Sequence, residues 1–142
     1  MSFIKHSPIW DKTLVDKFFN HSLSDIVGSD FTTTHPSVNI YEKDDVYYLE
    51  VAAPGLEKDD FHVNVDKGQL TISVEKEIDA DAVPGSYRRN EFNYTRFNRK
   101  FHLPKTIDSE GIDAKYLKGV LTLTLPKKEE AKVKPAVNIE IK

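Results

Sequence analysis

A period of two runs through most of this chain. Val38 and Ile40, then Tyr47, Leu49, Val51 and Ala53, alternate before a break at Pro54-Gly55. Phe61, Val63 and Val65 alternate with His62, Asn64 and Asp66. After a turn at Asp66-Lys67-Gly68, Leu70, Ile72 and Val74 alternate with Thr71 and Ser73. Phe97, Arg99, Phe101 and Leu103 share a face up to Pro104, and Leu121, Leu123 and Leu125 alternate with Thr122 and Thr124 up to Pro126. Successive side chains of a strand point to opposite faces, so each segment predicts a strand with one apolar and one wet face. That pattern belongs to antiparallel sheets covering a core on one side. Short strands with frequent turn signals, and no helical repeats between them, predict an all-β fold, an antiparallel β-sandwich. At about 100–200 residues per domain, 142 residues make one domain plus tails.

The flanks follow other rules. Residues 1–35 form an arm with one expected helix, about 8–19. Ser7 caps it, Pro8 takes the first helical position, and Trp10, Leu14 and Phe18 recur every four residues with Val15 and Phe19 beside them. Such a helix docks on its own domain, on another subunit or on a client. Ser22 to Thr34 resembles a linker. At the other end, residues 127–142 form a charged spacer, Pro135, and the alternating run Val137-Asn-Ile139-Glu-Ile141. Too short to build a core, that run gains stability only against an existing sheet edge or groove, on its own subunit or another. Residues 78–88 interrupt the strands as a long polar excursion, a length that marks functional or mobile loops.

Little in the sequence suggests catalysis. With no cysteine there is no disulfide framework, thiolate metal site or cysteine nucleophile. His6, His21, His35, His62 and His102 share no ligand spacing, and His62 and His102 fall on the polar faces of strands. The pairs Asp44-Asp45 and Asp59-Asp60 sit beside turns, where solvation explains them, and strand neighbours cannot converge as an acid–base pair. No cofactor and no metal is expected. A net charge of −3 without a long basic block disfavours nucleic acid. The run from Tyr87 to Phe101 interleaves aromatics and arginines, but Arg99 shares a face with Phe97 and Phe101. A partly buried arginine needs a carboxylate partner, so an interface ion pair is the better reading than nucleic-acid binding. No apolar run approaches the ~20 residues of a membrane span, and the first eight residues lack a signal-peptide core, so a cytoplasmic protein is expected.

Four motifs in order carry a resemblance. Ala114-Lys-Tyr-Leu-Lys-Gly119-Val-Leu121 with its trailing Thr-Leu-Thr-Leu-Pro126, Phe97-x-Arg99-x-Phe101-x-Leu103-Pro104, Ala53-Pro54-Gly55-Leu56 and Ile139-Glu140-Ile141 are those of a small heat-shock protein. Residues 36–126 resemble its α-crystallin domain, of bacterial type, and the tail resembles its I-x-I motif. Ala53 stands where the family usually has leucine before Pro-Gly.

The resemblance implies an immunoglobulin-like sandwich and an ATP-independent holdase. Such a chaperone keeps partly unfolded clients refoldable for ATP-driven chaperones and works as a homo-oligomer of strand-swapped dimers. The loop at about 78–92 would carry a short strand that crosses to the first strand of a neighbour. Val38, Ile40, Tyr41, Tyr87, Arg88, Arg89, Glu91 and Arg99 would then form the dimer interface. Ile139 and Ile141 would dock in another dimer's groove between Phe61, Val63 and Val65 on one side and Ile112, Ala114 and Tyr116 on the other. Gly119 would turn the chain into the last strand. Phe3, Ile4, Trp10, Leu14, Phe18 and Phe19 of the arm are the candidates for client contact, bared when warming weakens tail docking. A non-oligomeric co-chaperone or adaptor sandwich is the rival reading, and the tail and long loop speak against it.

Overall fold

The computed structural model describes residues 34–77 and 85–142. The expected helix at about 8–19, the client-contact residues of the arm and the first part of the 78–92 loop lie outside those residues.

The described residues form seven strands: β1 (Val38–Lys43), β2 (Val46–Ala52), β3 (Phe61–Asp66), β4 (Gln69–Glu75), β5 (Arg96–His102), β6 (Asp113–Leu117) and β7 (Val120–Pro126). Three hairpins have two-residue turns, closing at Lys43↔Val46, Asp66↔Gln69 and Leu117↔Val120. Each turn has positive φ at both central residues: Asp44 and Asp45, Lys67 and Gly68, Lys118 and Gly119. That mirror-image turn matches the twist of paired strands and favours Asp, Asn and Gly. Gly119 has a second constraint, because a Cβ there would lie 3.4 Å from Pro54.

The strands make two antiparallel sheets, in the orders β1-β2-β7-β6 and β3-β4-β5. Alternation decides what each buries. Leu49 and Val51 of β2, Leu70, Ile72 and Val74 of β4, Phe97 and Phe101 of β5, and Leu121, Leu123 and Leu125 of β7 join one buried cluster. Each such side chain contributes about 1.5–3 kcal/mol on burial. His62 and His102 are exposed, as the polar phase of their strands requires.

Past Pro126 the chain stays tied to the sandwich. Ile107 bridges Lys127, the Lys128 amide donates to the Thr106 carbonyl at 2.8 Å, and a 3-10 turn follows at Glu129–Ala131. These ties hold Lys127 and Lys128 against the segment at Thr106 and Ile107.

Candidate functional site: a groove between two open edges

Topology leaves β3 at the edge of one sheet and β6 at the edge of the other. These two edges meet, with the Phe61 and Tyr116 rings 4.8 Å apart between centroids. Tyr116 is held there because its hydroxyl donates to the Ala53 carbonyl at 2.8 Å. Phe61, Val63 and Val65 pair with Val74, Ile72 and Leu70, and so share the core-facing side of their sheet. Ala114 and Tyr116 pair likewise with Leu123 and Leu121.

Core-facing parity does not bury these residues. Phe61, Val65, Ile112 and Tyr116 are half-buried, Ala114 is exposed and Val63 is 37% exposed. Phe61 packs on Tyr116 where the two edges meet, while Val63 and Ala114 stay open to solvent, which leaves the six expected residues as candidates for the lining of a groove. Among the described residues each flanking strand keeps one side without a β-partner, which is the arrangement that accepts an added strand. The apolar residues of the tail are bare by contrast, with Ile139 86% and Ile141 98% exposed.

The expected interface residues are spread over three places: Val38, Ile40 and Tyr41 on β1, Arg99 on β5 of the other sheet, and Tyr87 beside Pro54, Gly55 and Leu56. Among the described residues β1 pairs only with β2, on one of its two sides. Tyr41 is exposed on its outward face and stacks on Tyr48, 5.0 Å between centroids. Partial burial, and then the Glu50 carboxylate, push the Tyr41 phenol up from its ordinary value. Val38 and Ile40 face inward and pack against the core. Residues 85–95 carry no strand. Tyr87 and Phe92 are 65% and 66% exposed, and Arg89 pairs with Glu91 at 3.4 Å within the loop itself. Arg99 is half-buried as expected: it donates to the Pro36 carbonyl at 3.0 Å and lies 5.5 Å from the Phe101 ring centre.

Two charged contacts were not legible in the sequence. Lys127 pairs with Glu42 and Asp45, and stands 5.1 Å over the Tyr47 ring. Burial opposes its charge, but the hydrogen bond to Glu42 and the surrounding negative groups outweigh that and raise its pKa. Asp60 accepts the Glu57 amide at 2.7 Å and pairs with Lys76 at 3.0 Å, and both hold its carboxyl below the usual range, the amide more strongly. These acids are structural ties rather than merely solvated turn residues. Among the described residues no group of three His, Asp or Glu is placed to hold a metal, and no helix is long and apolar enough to cross a membrane.

The model of the Hsp20/alpha crystallin family matches residues 39–142. This chain belongs to that family. It is 31% identical over 129 residues to small heat shock protein C4 of Rickettsia felis, covering 87% of this chain and 79% of the relative. With heat shock protein HSP.16.4 of Streptococcus thermophilus it shares 32% identity, over 96% and 95% of the two chains. Among solved structures it resembles a small heat-shock protein from Xylella fastidiosa, with a TM-score of 0.61 and 30% identity, over 78% of this chain and 99% of that one. Small heat-shock proteins are stress chaperones rather than enzymes, and the two sheets here are those of the family's β-sandwich domain.

Proposed function

We propose that this small heat-shock protein is an ATP-independent holdase. It binds partly unfolded proteins, prevents their aggregation and leaves them refoldable for ATP-driven chaperones. It works as a homo-oligomer of dimers, without a cofactor, and its proposed compartment is the cytoplasm.

The observation that carries this reading is the pairing of incompletely buried apolar edges with a bare tail. Phe61, Val65, Ile112 and Tyr116 are only partly buried and Val63 is exposed, and the same chain carries a bare tail in which Ile139 and Ile141 have no core of their own. Burying two isoleucines is worth about 3–6 kcal/mol before the cost of ordering the tail. One docking is therefore weak and reversible, whereas many in a closed assembly are collectively strong. The side of β1 without a β-partner among the described residues, and the exposed Tyr87 and Phe92, support a strand-swapped dimer, with Arg88, Arg89, Glu91 and Arg99 at its interface. Within the arm, Phe3, Ile4, Trp10, Leu14, Phe18 and Phe19 are the proposed client contacts. Large apolar patches are aggregation hazards at rest, so an assembly that hides them until warming loosens the tails gives a conditional chaperone.

The test replaces Ile139 and Ile141 together by alanine and sizes the assembly by light scattering. A shift to dimers or other small species is expected, and an unchanged size overturns the tail reading. Protein lacking residues 1–35 should protect heat-stressed clients poorly. Undiminished protection of every client rejects the arm as the contact surface.

A further inference from the structure

We infer that charges on β6 fix the direction and register in which a second copy's tail lies in the groove: antiparallel to β6, with Glu140 against Lys115 and Lys142 against Asp113. This rests on the tail-docking reading above and specifies its geometry.

Hydrophobic matching alone leaves the register open. Val137, Ile139 and Ile141 repeat every two residues and all three are exposed. A slip of one residue is forbidden, because it turns the apolar set away from the groove. A slip of two is not, since Val137 and Ile139 can replace Ile139 and Ile141 at the same inward positions. Something other than apolar area must select one alignment.

The outward faces of the two edges differ in charge. β3 presents His62, Asn64 and Asp66, with neither lysine nor arginine, whereas β6 presents Asp113 and Lys115. Both β6 residues are exposed, and among the described residues neither has an ion pair. Residues opposite one another in paired strands project from the same face, so a tail strand on β6 sets its own charges against these two. In the antiparallel alignment Ile139 lies opposite Tyr116 and Ile141 opposite Ala114, both facing the groove. Glu140 then meets Lys115 and Lys142 meets Asp113, two opposite-charge pairs.

Competing alignments lose this match. Slipping the tail two residues one way sets Glu140 against Asp113, and the other way sets Lys142 against Lys115. A parallel tail with Glu140 at Lys115 leaves Lys142 against Leu117 and Asn138 against Asp113. The β6 charges therefore select by repulsion as well as attraction.

Charge reversal in the full-length chain tests this. Glu140→Lys and Lys115→Glu should each weaken every tail contact on the order of two- to fivefold, multiplied across the assembly into smaller species by light scattering. The double reversal should restore the size. Lys142→Glu with Asp113→Lys should behave the same way, and circular dichroism checks that each variant keeps its strands. Single reversals without effect, or doubles no larger than the singles, overturn the register. Rescue by the first pair but not the second overturns the antiparallel direction. If the Ile139→Ala, Ile141→Ala variant also keeps its size, the fault lies in the tail-docking reading itself.

Discussion

At the scale of single residues, the charged ties and tight turns decide local stability. Gly119 combines φ +80° with the nearby Pro54 backbone. Gly119→Ala should therefore cost about 1–2 kcal/mol in chemical denaturation, the usual penalty for a side chain in the left-handed region. Asp60 makes a pH-dependent contribution. Its carboxyl is depressed in the folded state, so its stabilisation is complete above the unfolded value of about 3.9 and disappears as pH falls through the lower folded value. Asp60→Asn should be less stable than the parent at neutral pH, and the gap in unfolding midpoint should close in acid. Lys127 has the opposite sign. Its pKa is raised, so the tie to Glu42 persists below about 10.4 and is lost as pH rises through the folded value.

At the scale of elements, the contrast is between strands buried in the middle of a sheet and strands at its edge. Ile72 on β4 and Leu123 on β7 are fully buried, and replacing either by alanine should destabilise the fold by about 2–5 kcal/mol. Val63 occupies the same inward phase as Ile72 but sits on an edge strand and remains partly open. Val63→Asp should therefore leave circular dichroism and the unfolding midpoint nearly unchanged while shrinking the assembly. A large loss of stability would mean that Val63 belongs to the core. Period two in the sequence assigned Phe61, Val63 and Val65 to one inward face, whereas Ile112, Ala114 and Tyr116 entered through the family resemblance. Their incomplete burial was beyond the sequence pattern, since periodicity assigns a face and does not say whether another layer covers that face.

At the scale of the whole molecule, the core and the tail proposed to drive assembly occupy separate stretches of chain. The core cluster lies wholly between Leu49 and Leu125, whereas Val133, Val137, Ile139 and Ile141 are exposed. Removing residues 133–142 should reduce the mass of the particle yet change the unfolding free energy of the sandwich by no more than about 0.5 kcal/mol, the range of surface changes. Scattering and denaturation on one preparation check both outcomes.

Local rules in the sequence determined six of the seven strands, their inward faces and the turn at Asp66-Lys67-Gly68, while β6 and the Gly119 turn came through the family resemblance. Side-chain parity and turn chemistry act between near neighbours, so a linear reading captures them. Only the tertiary structure decided which strands become edges, that β3 and β6 meet at Phe61 and Tyr116, and that Lys127 reaches Glu42, 85 residues away. Period two carries no information about which strand lies beside which. That choice is made when two sheets close over one core, and the margin where β3 and β6 meet is the groove proposed for the tail.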